Sequence, residues 1–335
     1  MMGWTLLLAL LAAVPVLVQS GRWIDFLELT LFVAVMGQGW NILGGYGGQY
    51  SFGHALFFGT GAYIQALMQF KLGWSPWITL WFAIGGAALV GCAVGYLSFR
   101  YGLRGSYFAL ITLAFAEAFH VLARSLISVT EGGRGVQLPL NQDPDQAVAS
   151  FQFTFASPFL QSYGFYYTIL LLFLLACAAT WLMERSRFGA QLVAVRENEE
   201  AAEALGIDAF RVKMGSICLS AAITASAGVY YVQKFLFVDP GIAYGPGKSV
   251  EALFAPIIGG LGTVLGPLLG SAFIHIVGET SKEAISHFVG DRPGLDLILF
   301  GVMLLLVLGY MPRGLVGLFE TVWVRLRADK GGPHA

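Results

Sequence analysis

Tyr163–Met183 reads Y-G-F-Y-Y-T-I-L-L-L-F-L-L-A-C-A-A-T-W-L-M, with no charged residue. About 20 apolar residues in helical form cross the ~30 Å hydrocarbon core of a bilayer, so this run reads as a transmembrane helix. A membrane β-strand would alternate apolar and polar residues over about ten positions. Neither Leu174–Leu182 nor Leu297–Leu308 alternates. The whole chain fits the same reading: of its 335 residues 57% are hydrophobic and 12% charged, and its mean hydropathy is +0.71. Soluble domains carry roughly 25% charged residues. These numbers exclude a soluble globular enzyme and predict an all-α, polytopic helical membrane protein. The net charge of −1 singles out no partner, and no nucleic acid is expected.

Working outward from that helix, about ten membrane segments are expected, including broken or re-entrant helices. They fall at about 4–19, 27–45, 51–70, 77–99, 105–127, 163–183, 214–233, 250–261, 262–279 and 295–310. The first, Trp4–Val18, has a leader-like end at Val18-Gln19-Ser20. No Lys or Arg precedes it, so it reads as a membrane helix. The third begins in the glycine cluster Gly44-Gly45-Tyr46-Gly47-Gly48. Gly259-Gly260-Leu261-Gly262 follows the short eighth at once, so residues 250–279 either cross twice or dip and return as a hairpin. Residues 1–320 form one membrane domain and 321–335 a tail. Two polar stretches interrupt the domain, at 128–162 and 184–213. Cys92, Cys177 and Cys218 lie far apart in apolar runs and read as packing residues, not as a disulfide framework or metal site.

Lys and Arg accumulate on the inner side of membrane proteins. With the amino terminus inside, eleven of the nineteen lie inside, nine of them in Glu184–Lys213 and after the last membrane segment. The 184–213 loop and both termini therefore face the cytoplasm, and 128–162 faces outward.

The inner loop holds the most unusual stretch, Arg196–Ile207, R-E-N-E-E-A-A-E-A-L-G-I. Arg185 and Arg187 close the preceding helix, Phe188-Gly189 turns the chain, and Val193–Leu205 is helical by propensity, with Gly206 as its cap. Ala201, Ala202 and Leu205 would form one small apolar face. Glu197, Glu199, Glu200 and Glu203 would ring it with negative charge. A helix lying on the bilayer favours Lys and Arg on its polar face. This acidic one is suited to docking a soluble partner.

Glu200, Ala201, Ala202 and Gly206 resemble the E-A-A…G signature of the coupling loop of ABC importer permeases. Other blocks extend the likeness to branched-chain amino-acid permeases of the LivM type. Gly48-Gln49-Tyr50-Ser51-Phe52-Gly53-His54-Ala55, with Phe57-Phe58-Gly59 and Gly61-Ala62-Tyr63, resembles their early glycine-rich motif. Leu103-Arg104-Gly105, Tyr107–Leu110 and Thr112–Glu117 are similar to the next block, and Thr130-Glu131-Gly132-Gly133 to the one after. Gly259–Thr263 with Gly266-Pro267 and Gly270 resembles a late block, and Pro312–Gly317 the terminal one. One departure is visible: where the wider importer pattern ends in I-x-L-P, this chain has Ile217-Cys218-Leu219-Ser220. The resemblance implies a permease subunit of an ABC importer in the cell inner membrane, for branched-chain or related amino acids. It implies alternating access driven by two cytoplasmic ATPases, a second homologous permease and an extracytoplasmic substrate-binding protein. The coupling residues would be Arg196, Glu197, Glu200, Ala201, Ala202, Leu205 and Gly206.

Within the membrane, glycines at 47, 48, 53, 59 and 61 either break a helix or let helices pack closely. A broken helix exposes N–H groups and an end dipole able to hold a carboxylate. Gln49, Ser51 and His54 at that break are candidate pathway residues. Glu117 and His120 share a helix face three residues apart and are candidates as well, because a charge within the membrane is costly. Glu251, His275 and Glu279 are further ionisable groups in apolar runs, each able to line a path or to pair within the bundle. No metal site is expected, since no H-E-x-x-H accompanies Glu117-x-x-His120. Gly247-Lys248-Ser249 imitates the end of a phosphate loop, but Ile242 stands where the first glycine is required. The chain therefore carries no nucleotide or other cofactor of its own; ATP belongs on a partner. The alternative class is an ion- or proton-coupled secondary transporter or channel. No catalytic cluster marks an enzyme.

Overall fold

The computed structural model describes residues 21–288, Ile298, Gly301, Val302, Leu305, Gly309 and residues 314–317. The expected first segment and most of the tenth lie outside these residues, as does the tail.

Helix α1 (Gly21–Trp40) runs into a π-helical turn at Asn41–Tyr46. Next come α2 (His54–Leu72), α3 (Pro76–Arg100), α4 (Gly105–Ser125) and α5 (Pro158–Arg185). Two short helices, α6 (Arg187–Glu197) and α7 (Glu199–Ala204), precede the long α8 (Ala209–Phe235). The described bundle closes with α9 (Pro240–Tyr244), α10 (Pro246–Gly259) and α11 (Gly266–Phe288). Among the described residues, five helices are long and apolar enough to cross a membrane: α1 with its π turn, α3, α4, α5 and α8. Local chemistry sets their ends. Proline opens α3 and α5 at the first turn, where its missing N–H costs nothing. The Asp208 and Asp239 carboxylates cap α8 and α9 by accepting from the N–H groups of Arg211 and Ile242.

Small residues decide which helices touch. Gly91 and Gly95 bring α3 onto Ala221 and Ile217 of α8. Between them, Cys92 and Cys218 form a disulfide with Cα atoms 5.7 Å apart. This corrects the packing-only reading of those two cysteines. Their spacing in sequence carried no hint of the close helix crossing that joins them; Cys177 is free and buried. Gly61 and Gly228 seat α2 on α8, where a Cβ on Gly228 would collide with the Phe58 carbonyl oxygen. Gly259 and Gly270 leave no room for a Cβ between α10 and α11.

Two segment boundaries differ from expectation, and the region left open between them takes a definite form. The glycine cluster 44–48 ends α1 as a π turn instead of opening the next helix, which starts at His54. The region 250–279 holds one short helix and one long one: α9 and α10 form a helix broken at Gly245, and α11 returns from the turn after Gly260. Residues 246–249, expected outside the membrane, are the first turn of α10, with Ser249 buried.

The two polar stretches lie at opposite ends of the bundle, separated by the 28 residues of α5, a rise of about 42 Å. Residues 128–157 are packed over the carboxyl end of α2 and the amino end of α3. Lys71 Nζ donates to the Ser128 carbonyl, and Trp77 Nε1 donates to that of Val148 and stacks on Phe151. Strands β1 (Val136–Gln137) and β2 (Phe237–Val238) pair antiparallel and tie this cap to the end of α8.

Candidate coupling site and solute path

The expected single helix Val193–Leu205 is two helices. The chain turns at Ser186, whose Oγ accepts from the Gly189 N–H and starts α6, so Phe188-Gly189 is helical and not the turn. Asn198 is extended (φ −157°, ψ 105°) and separates α6 from α7. Its side-chain oxygen accepts from the Ala201 N–H and caps α7. Asparagine favours such caps over helix interiors because its side chain competes for backbone groups. At the other end, Gly206 takes φ +84°. There the Gly206 N–H reaches the Glu203 carbonyl and the Ile207 N–H the Ala202 carbonyl, a glycine-terminated helix end.

Ala201, Ala202 and Leu205 do not share one face. Ala202 is buried against the bundle, whereas Ala201 is exposed and Leu205 is 83% exposed. Ala201 and Leu205, four residues apart, share the exposed side, whereas Ala202, one residue on from Ala201, is turned about 100° from it toward the bundle. An outward leucine remains, with Glu197, Glu200 and Glu203 exposed nearby in sequence.

Two anchors fix this loop to the bundle. Glu199 pairs with the buried Lys213 of α8 at 2.5 Å and with Arg104, just before α4, at 3.1 Å. Arg196 forms the second. Its Nη1 donates to the Gly45 carbonyl at 2.9 Å, and its stem covers Gly48. The end of a helix leaves carbonyls without partners and carries partial negative charge, and Arg196 answers both. The π turn is then joined onward. Asn41 Nδ2 donates to the Thr263 carbonyl (2.9 Å), and Asn41 Oδ1 accepts from the Gly262 N–H (2.8 Å). A continuous set of bonds thus runs from α6 through the π turn to the α10–α11 turn. Arg196 was marked for docking; its inward contact depends on the fold and had no sequence signal. Asn41 was missed altogether, although a π bulge beside a glycine cluster is a frequent functional feature.

Gln49, Ser51 and His54 come together at the break between α1 and α2, all under 10% exposed. Gln49 Nε2 donates to the Gly47 carbonyl. Ser51 Oγ accepts from the Gly53 N–H, and its carbonyl accepts from Trp40 Nε1. His54 Nε2 lies 2.9 Å from Ser220 Oγ. Ser220 is the residue that departs from the wider importer pattern, and here it partners this histidine. Glu117 and His120 lie elsewhere, on the outer side of α4, with His120 Nδ1 3.5 Å from Glu117 Oε2. Only Phe108, Ala109, Thr112, Ala116 and Ala123 of α4 are buried. Thr112 joins the two groups of candidates: its Oγ1 accepts from the Phe52 N–H, and its backbone abuts Gly53.

A helical bundle with broken helices, a capped polar helix at one end and a hydrogen-bonded path from it to two helix breaks defines a membrane transport protein. The family model described as "Branched-chain amino acid transport system / permease component" matches residues 23–308, and the chain belongs to that family of permeases. It is 27% identical over 327 residues to the high-affinity branched-chain amino acid transport system permease protein LivM of Escherichia coli K12, covering 92% of this chain and 73% of that relative. It is 28% identical over 292 residues to LivH of the same organism, covering 85% and 91%. A probable LivM of Methanocaldococcus jannaschii is 26% identical over 242 residues, covering 69% and 66%. No solved structure matches the chain.

Proposed function

We propose that this permease imports branched-chain or related amino acids, paired with a second homologous permease and driven by two separate cytoplasmic ATPases. A substrate-binding protein delivers the solute at the end capped by residues 128–157. Both termini and the 184–213 loop face the cytoplasm, in the cell inner membrane. Membership of a family of permease components supports the class, as does likeness to both LivM and LivH, two permeases of one organism.

The observation that carries the ATPase assignment is α7. It presents Leu205 outward among acidic residues while Glu199 is held from behind by Lys213 and Arg104. Leu205, left 83% exposed on a helix tied down from behind, is placed to fill an apolar pocket on a soluble partner. Leu205→Asp combined with Glu200→Lys is expected to reduce co-purification of the ATPase at least ~tenfold, as loss of a buried anchor does. The amount of permease in the membrane should stay constant. Undiminished association removes α7 as the docking element.

The outer side of α4, bearing Glu117 and His120, faces the second permease and lines the solute path. A polar pair there is costly against lipid and favourable against water. Gln49, Ser51 and His54 shape the path from behind, through Thr112. Glu117→Gln should then change uptake kinetics without changing assembly, and uptake equal to wild type would exclude Glu117 from the path.

A further inference from the structure

Glu251, His275 and Glu279 are scattered in sequence, yet all three border one cavity of about 540 Å³ between α1, α8, α10 and α11. The cavity lies towards the end of the bundle that carries residues 128–157: Lys234, on its wall, precedes Leu236, whose carbonyl accepts from the Leu138 N–H. Its volume falls within the ~300–1,000 Å³ of small-molecule sites. The interior is apolar, with Phe32, Val33, Tyr231 and Phe254 among its walls. Charge is confined to ion pairs around it. Lys248 meets Glu251 at 2.9 Å, Lys282 meets Glu279 at 3.1 Å, and Lys234 binds Glu28. Helix packing alone fills such space with side chains and avoids charge.

Lys248 is the unusual member. Its Nζ lies 5.3, 5.8 and 5.4 Å from the ring centres of Phe32, Phe58 and Tyr231. Three ring faces hold an ammonium without consuming its N–H groups. Among the described residues Lys248 Nζ has one acceptor, Glu251. Glu251 is the looser partner, its side chain 43% exposed against 18% for Lys248.

We propose that this cavity is a second solute site, apart from the path along α4, for a zwitterionic amino acid with a branched apolar side chain. The Lys248 ammonium takes the carboxylate, Glu251 turns to take the solute ammonium, and the side chain lies against Phe32, Val33 and Phe254. One internal ion pair is thereby exchanged for two with the solute, and apolar surface leaves water. A dianion would meet Glu28, Glu251 and Glu279, and a sugar would leave its hydroxyls unpaired against the aromatic walls. The inference rests on the amino-acid solute proposed above.

The test uses the complete transporter in nanodiscs, without binding protein, and equilibrium dialysis with radiolabelled L-leucine, L-alanine and urea. Co-purification of the ATPase confirms that each variant is assembled. Wild type should bind leucine, and Lys248→Met should weaken it about tenfold or more while Lys248→Arg stays within about threefold, since arginine keeps the charge. Val33→Trp should weaken leucine more than alanine, a change of selectivity that a purely structural role would not give. Leucine binding by wild type that both Lys248→Met and Val33→Trp leave intact overturns the cavity assignment alone. Wild type that binds urea and neither amino acid overturns the solute reading and this inference with it.

Discussion

Replacing Arg196 by alanine is expected to leave the permease assembled with its ATPases and still hydrolysing ATP, yet to cut solute uptake at least ~tenfold. The reason is the dual position of this side chain. Its backbone belongs to α6, beside the docking helix, while its guanidinium donates to the Gly45 carbonyl in the π turn. From there Asn41 carries the connection to Gly262 and Thr263. In the proposed coupling, a push on the 184–213 loop is passed from α6 to the π turn and the α10–α11 turn through these bonds. A hydrogen bond from a charged group contributes about 1.5–3 kcal/mol, roughly one to two powers of ten in the population of the coupled state. Leu205, Glu200 and Ala201, the docking surface proposed above, are untouched by the change, so ATPase binding is expected to persist. Uptake and ATP hydrolysis measured together in proteoliposomes distinguish the outcomes. Uptake within twofold of wild type would show that force does not pass through Arg196.

The second large effect is expected at Gly228. A Cβ there would collide with the Phe58 carbonyl oxygen and lie 2.9 Å from the Ala62 nitrogen. Both are backbone atoms of α2, so no rotamer relieves the contact. Gly228→Leu must separate α2 from α8, and that opens the joint where His54 meets Ser220. Overpacking a close-packed interior costs about 1–3 kcal/mol even when side chains can adjust; a clash with backbone belongs at the upper end or beyond. The variant is expected to melt well below wild type in detergent, or to fail to accumulate as a monodisperse species. Gly85→Ala is the control: the added methyl meets nothing within 4 Å on α3, and alanine favours a helix over glycine by about 1 kcal/mol. Equal melting temperatures for Gly228→Leu and wild type would mean that α2 and α8 do not pack as described.

How much was legible differed from one region to the next. The runs that became α3, α4, α5 and α8 were plain, because apolar length and absence of charge are properties of the chain itself. The helix end at Gly206 was equally plain, since a left-handed residue almost demands glycine. The break at Asn198 was not expected, although Asn before Glu-Glu-Ala-Ala is a good cap. Helical propensity summed over Val193–Leu205 outweighed a single capping residue. Ala202 was grouped with Ala201 and Leu205, although a neighbour in a helix is turned by about 100° and here meets the bundle. The Cys92–Cys218 disulfide had no sequence signal beyond Gly91 and Gly95 flanking Cys92, because joining cysteines 126 residues apart needs the crossing of α3 and α8.

Sequence by itself determined that this chain is a helical membrane protein and where its longest apolar helices and its polar stretches fall. Those are consequences of local composition, and hydrocarbon and water sort residues one at a time. Only the tertiary structure decided that Arg196 reaches Gly45, that Ser220 serves His54, and that Glu251, His275 and Glu279 surround one cavity. Such pairings join residues up to 166 positions apart, and they exist because glycines let particular helices approach closely enough for side chains to meet across them.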